Sequence, residues 1–224
     1  MENIMFEGIR DIVIIGAGGF GREICWLIEE INNNEKKFNI LGFIDDDYDK
    51  RGKIINGYKV LGGIDYLKNK KNIYFTCAIG NVGIKKSIVQ KVKSLGIRAQ
   101  TLIHPSVVYG GFNKIGEGAI ICAGSIITTN TIIKDYVTIN LSCTVGHDAV
   151  IEEYCTLYPS VNISGNCVIG KLSELGTKTA IIQGVKIGQK TITGAGTVVV
   201  KNMDGNCTIV GIPAKALNIF SEGK

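Results

Sequence analysis

The chain has 224 residues, 45% of them hydrophobic and 20% charged, and a formal net charge of +5, which suits one large or two small well-packed domains. No apolar run approaches the roughly 18 residues of a membrane span, and the stretch around Glu2 and Glu7 lacks a signal-peptide pattern, so the expectation is a cytoplasmic protein with no membrane partner. Basic residues are scattered apart from small groups at Lys68–Lys71 and Lys85–Lys86, with no interleaved aromatics; this argues against a nucleic-acid partner and leaves a polyanionic small molecule as the natural one.

Asp11–Ile15 reads as a short buried strand, and Gly16-Ala17-Gly18-Gly19-Phe20-Gly21 follows it at once, a G-x-G-x-x-G match. Ile24, Leu27, Ile28 and Ile31 then recur at helical spacing within Arg22–Ile31. A second strand over Ile40–Ile44 runs into Asp45-Asp46-Asp47. Strand, glycine turn, helix, strand and acidic residue form the context of a nucleotide-binding fingerprint, in which glycines admit the ligand to the backbone and the helix N-terminus offers N–H groups to phosphate. A helix over Ile64–Asn69, a strand over Ile73–Ile79 and a helix over Lys85–Leu95 are expected next, with Gly80-Asn81 just past the strand. Three or four strands make only half of a dinucleotide fold, so the spacing favours a mononucleotide or nucleotide-sugar over a nicotinamide cofactor. Residues 1–100 are read as a Rossmann-like α/β domain.

The remainder, 101–224, is a repeat. Stepping by six from Ile115 to Val199 meets fifteen positions, all aliphatic except Thr193. Two residues before each later member stands a small or β-branched residue, from Ala119 through Cys143, Cys155 and Cys167 to Thr197. A six-residue period needs a short strand and a corner in every unit, and such units gain a core only by stacking. Glycines such as Gly116, Gly146, Gly170, Gly176, Gly188 and Gly194 recur just after the aliphatic position, where a permissive turn is expected. The seven cysteines are odd in number and lack a C-x-x-C pair, and three of them follow the repeat. The expectation is therefore buried, reduced thiols, with neither disulfides nor a metal site.

These motifs resemble the hexapeptide-repeat acyltransferases, whose fold is an all-β left-handed parallel β-helix with three hexads per coil; fifteen hexads imply five coils. The tail Val210-Gly211-Ile212-Pro213-Ala214-Lys215 resembles that family's closing segment. G-A-G-G-F-G, F-I-D-D-D, A-I-G-N and T-V-G-H-D in one chain resemble the sialic acid O-acetyltransferase and nucleotide-amino-sugar N-acetyltransferase subfamily of bacterial surface-glycan synthesis. The resemblance implies acetyl-CoA as acyl donor, a sugar or nucleotide-sugar acceptor, and a homotrimer with sites between subunits. It places Gly18, Gly19, Phe20, Asp45, Asp46 and Gly80 at the nucleotide portion of the acceptor. His147 and Asp148 fall on the catalytic pair, and Gly165, Thr177 and Ala195 on coenzyme A contacts. Some relatives carry a second histidine nine residues after the first; here that position is Thr156.

His147 is the candidate general base: a neutral imidazole suits removal of a proton from an attacking amine or hydroxyl. Asp148 would orient the ring, and an N–H near Gly165, one coil of eighteen residues further on, would meet the oxyanion. His104 reads as a structural residue opening the β-helix. A metal-dependent carbonic anhydrase on this fold needs three histidines, and the chain has two. The nucleotide-type first domain favours a nucleotide-linked 4-amino-4,6-dideoxy sugar as acceptor. Sialic acid O-acetylation and a non-catalytic sugar-nucleotide-binding scaffold are the alternatives.

Overall fold

The computed structural model describes residues 8–219, and the stretch around Glu2 and Glu7 lies outside them. They divide into two compact units, residues 8–78 with 90–100, and residues 79–89 with 101–219.

The first unit is built on β1 (Arg10–Ile15), α1 (Gly19–Asn34), β2 (Phe38–Ile44), β3 (Ile54–Ile55), β4 (Tyr58–Gly62), β5 (Ile73–Cys77), α2 (Val82–Ser94, shared with the second unit) and β6 (Arg98–Ala99). The strand order is β3-β4-β2-β1-β5-β6, parallel except for β3 against β4. The sheet thus has six strands where three or four are expected from the sequence. Two of them form a hairpin whose turn residues Asn56 and Gly57 both have positive φ, the conformation a two-residue hairpin loop requires. The expected helix over Ile64–Asn69 is a single 3₁₀ turn, Ile64–Leu67, followed by extended Lys68 and by Asn69 at φ 64°. On α1 the apolar stripe Ile24, Leu27, Ile28 and Ile31 is buried, as are Ile12–Ile15 of β1.

In the second unit seventeen two-residue strands follow one another at six-residue intervals, from Leu102–Ile103 to Val198–Val199. Each pairs in parallel with the strand eighteen residues away, as in the column Ile121, Ile139, Leu157, Leu175 and Thr193. Three sheets result, one per face of a β-helix. The coils begin at Leu102 rather than at Ile115. The aliphatic row breaks at Tyr109, which is 54% exposed at the first coil, so periodicity alone stops short. From Ile121 to Val199 every member of the row is at most 3% exposed, and the small-residue row is buried throughout. Thr193, the one polar member, shares its hydroxyl with Thr179 at 2.6 Å and accepts from the Gly176 N–H at 2.8 Å, so its core position leaves no polar group unmet. At the far end Cys207–Val210 joins the largest sheet in parallel and Lys215–Ile219 closes it in antiparallel fashion.

The repeat glycines correct the expectation of permissive turns. Gly146 and Gly170 do not have positive φ; a Cβ at Gly146 would lie 2.5 Å from the Gly165 nitrogen, and one at Gly170 would run into the Gln189 nitrogen. They allow coils to close on one another. Positive φ falls two residues later, at Asn130, Tyr136, Ser142, Asp148, Tyr154 and Ser160 among others, mostly on residues other than glycine. The small-residue row also does more than fit a tight space. Ser125, Cys143, Cys155, Cys167 and Ser173 each donate to the carbonyl fifteen residues ahead, at 2.9–3.3 Å. These bonds supply donors to corner carbonyls that the strand ladders do not reach.

Candidate active site

The glycine turn of the first unit divides its roles among its glycines. Gly16 has φ 98°, open only to glycine, and a Cβ at Gly21 would run into the Gly16 carbonyl, so that glycine lets α1 pack on the turn. Gly18 has no atom within 4 Å of a Cβ position, and only an Arg22 Nη2 at 3.9 Å faces Gly19. This is open, bare backbone at the start of a helix whose N-cap has no side-chain partner, with Phe20 half-buried beside it.

Asp45 turns inward. Its Oδ2 accepts from the Ala17 N–H at 2.9 Å and from Lys50 Nζ at 3.1 Å, and its Oδ1 from the Asp47 N–H at 2.9 Å. Burial alone would raise its pKa, but these donors outweigh it and hold the carboxyl below its usual range. Asp46 Oδ1 accepts from the Ile64 N–H at 3.1 Å. Both carboxylates therefore shape the loops at the carboxyl ends of the strands. Gly80 belongs to the second unit, where its carbonyl accepts from Thr156 Oγ1 at 2.9 Å, and a Cβ there would sit 3.5 Å from the Tyr158 hydroxyl.

His147 lies two residues past Val145, on a corner of the coil, with half its side chain exposed. Its Nδ1 is 2.8 Å from Asp148 Oδ2. Asp148 takes the positive-φ corner position, φ 60°, which turns its carboxylate back to the ring. With Nδ1 held by a carboxylate, the neutral ring carries its proton there and Nε2 is the free base. Nε2 lies over Gly165, whose hypothetical Cβ would be 2.5 Å from it and 2.6 Å from Cε1. The coils are stitched at this corner by the Asn166 N–H donating to the His147 carbonyl at 2.8 Å. Among the described residues the Gly165 N–H has no acceptor. Thr177 and Ala195 stack on each other at a different corner, through the Gly196 N–H to the Thr177 carbonyl at 2.8 Å. The structure therefore unites His147, Asp148 and Gly165, and places Thr177 and Ala195 together but apart from them. His104 is buried at the first coil, with Nδ1 2.8 Å from Ser106 Oγ.

Thr156 faces residues 79–89. Its Oγ1 accepts from Lys85 Nζ at 2.9 Å, and the same ammonium reaches Thr138 Oγ1 and the Cys155 carbonyl, both at 3.2 Å. Lys85 is 1% exposed. In composition it is one of a small basic group, and it occupies the buried stripe Val82, Lys85, Val89, Val92 of α2, a spacing visible in the sequence. Two residues past Thr156 the Tyr158 hydroxyl donates to Glu174 Oε2 at 3.0 Å, and burial together with that carboxylate pushes the phenol up to about 12.

None of the seven cysteines forms a disulfide, and all are buried. Desolvation pushes Cys143 up to about 11 and Cys25 and Cys155 up to about 12, so these thiols stay protonated and make poor nucleophiles. Iodoacetamide at pH 8 is expected to leave the native protein unlabelled and to modify all seven after denaturation, read by intact mass; rapid native labelling would show the core to be open. Among the described residues no group of three or more His, Cys, Asp or Glu side chains could hold a metal ion, and no helix is long and apolar enough to cross a membrane.

The coil geometry is that of a left-handed parallel β-helix of hexapeptide repeats. Residues 11–92 match the PglD N-terminal domain family. A GDP-perosamine N-acetyltransferase of Escherichia coli is 36% identical over 139 residues, 60% of this chain; the match spans only 61% of that relative's length. Among solved structures, WeeI from Acinetobacter baumannii is 30% identical, with a TM-score of 0.84, over 93% of this chain and 100% of that one. The acetyltransferase domain of PglB from Neisseria gonorrhoeae, in complex with acetyl coenzyme A, is 29% identical with a TM-score of 0.86, covering 94% and 100% of the two chains. PerB from Caulobacter crescentus, in complex with CoA and GDP-perosamine, is 29% identical with a TM-score of 0.83, covering 94% and 99%. The chain belongs to the hexapeptide-repeat family that these structures share.

Proposed function

We propose that this protein transfers the acetyl group of acetyl-CoA to the amino group of a nucleotide-linked 4-amino-4,6-dideoxy sugar in bacterial surface-glycan synthesis. The observation that carries the reading is the imidazole of His147, held at Nδ1 by Asp148 and set with Nε2 over the bare backbone of Gly165. The relatives support the donor and acceptor: one is described with acetyl coenzyme A and another with CoA and GDP-perosamine.

In this reaction the acceptor nitrogen attacks the thioester carbonyl while Nε2 takes its proton. The Gly165 N–H, which has no acceptor among the described residues, supplies a donor for the oxyanion. Collapse breaks the carbon–sulfur bond, and the imidazolium returns the proton to the departing thiolate. Gly18, Gly19 and Phe20 offer the open turn that suits the nucleotide diphosphate, with Asp45 and Asp46 shaping its walls. Thr177 and Ala195, on their own corner, are assigned to the coenzyme. A trimer, in which a neighbour closes the exposed corner of His147, fits the reading, as does a cytoplasmic setting for a protein without disulfides and with a coenzyme A substrate.

The reaction is tested by following thiol release from acetyl-CoA against UDP-, dTDP-, GDP- and CMP-linked amino sugars and free sialic acid. Release above background with a nucleotide-linked amino sugar is expected. Release only with sialic acid, or with no acceptor at all, would overturn it.

A further inference from the structure

The carboxyl edge of the first unit carries a feature that the catalytic reading leaves unused. Tyr48, in the 3₁₀ turn Tyr48–Lys50 just beyond β2, is 77% exposed. One face of its ring is backed by the Arg51 guanidinium, 5.3 Å from the centroid. Arg51 in turn lies across the end of β4, its Nε 3.5 Å from a Cβ position at Gly62. The Cβ of Tyr66 lies 3.7 Å from that same position; Tyr66 is 39% exposed, with Lys70 Nζ 4.7 Å from its ring centroid. Two exposed aromatics, each backed by a cation, thus share the ends of β2 and β4, beside a glycine at φ 144°.

A flat π-face backed by a guanidinium matches a nucleobase in shape and polarity, because every base has a π-face and the cation strengthens stacking. The placement matches as well. Ligands of open parallel sheets lie outside the carboxyl ends of the strands. Along this edge the order is the open glycine turn at the end of β1, then Asp45 at the end of β2, then Tyr48. That is the order of phosphate, ribose and base in a nucleotide.

We infer that Tyr48, backed by Arg51, is the stacking platform for the base of the nucleotide that carries the acceptor sugar, a specificity-determining residue of this chain. The inference rests on the proposed reaction for the identity of the ligand, but not for the existence of the platform. The test is calorimetric titration of the full chain with GDP and with UDP, alongside steady-state transfer. Loss of one stacked base costs about 5- to 150-fold in affinity. Tyr48→Ala should therefore bind the better nucleoside diphosphate at least about fivefold more weakly and raise the KM for the nucleotide-linked acceptor, with the KM for acetyl-CoA unchanged. Tyr48→Phe, which keeps the π-face, should stay within about threefold of the wild type. Equal binding by the wild type and Tyr48→Ala, an equal loss in Tyr48→Phe, or no nucleotide binding by the wild type would each overturn the platform. Tyr48-dependent nucleotide binding in a protein with no transferase activity would uphold the platform and remove the reaction.

Discussion

His147→Ala is expected to lower kcat for acetyl transfer by about 10²–10⁴-fold, the range for loss of a positioned general base. The protein should otherwise be unchanged. The side chain is half exposed, its recorded partner is Asp148, and it contributes nothing to the buried rows of the coil. Thermal unfolding should therefore shift little, since surface changes of this kind stay within about 0.5 kcal/mol. Steady-state kinetics with a melting curve separates the two effects. Near-wild-type turnover would remove the imidazole from the mechanism.

Gly165→Ala is expected to be nearly as damaging to activity, by about 10²-fold, while leaving the fold intact. The three atoms nearest to a Cβ there all belong to the His147 ring, and the glycine does not have positive φ. The new methyl group therefore strains no backbone; it pushes the imidazole off its seat and away from Asp148. Displacement of a catalytic group by about 1 Å is enough for a loss of this size. Gly146 presents the opposite case: its Cβ would meet backbone atoms of Ser164 and Gly165, so substitution there attacks the coil itself. A Gly165→Ala protein with the wild-type melting temperature and full kcat would show that the seat of the ring is immaterial.

Much of this was legible in the sequence because the β-helix is specified locally. Each coil needs its aliphatic residue, its small residue and its corner in fixed register, so the rows from Ile121 to Val199 could be read by stepping six. The stacking of His147 on Gly165 is legible for the same reason: the two are one coil apart. Legibility failed where the cause is contact between distant segments. The start of the coils at Leu102 was hidden because Tyr109, at the first coil, has no coil before it to bury it. The repeat glycines declared a turn by their spacing, yet their reason is the approach of the next coil. Asn56-Gly57 did carry a local signal, a two-residue hairpin turn, that was missed because the flanking strands are so short. Lys85 carries a charge, yet its place in a helical stripe with Val82, Val89 and Val92 marks it as buried. Asp45 and Asp46 stand where a ribose-binding acid is expected, but sequence cannot show that they are already bonded to Ala17, Lys50 and Ile64.

Direct, imidazole-assisted transfer is tested most directly by following a labelled acetyl group. The wild-type protein is mixed with acetyl-labelled acetyl-CoA and a nucleotide-linked 4-amino sugar, quenched at times shorter than one turnover, and both protein and sugar are weighed by mass spectrometry. The label should pass to the sugar nitrogen as an amide, with the protein mass unchanged at every time. Label appearing first on the protein, on a cysteine or on His147 itself, would contradict the account.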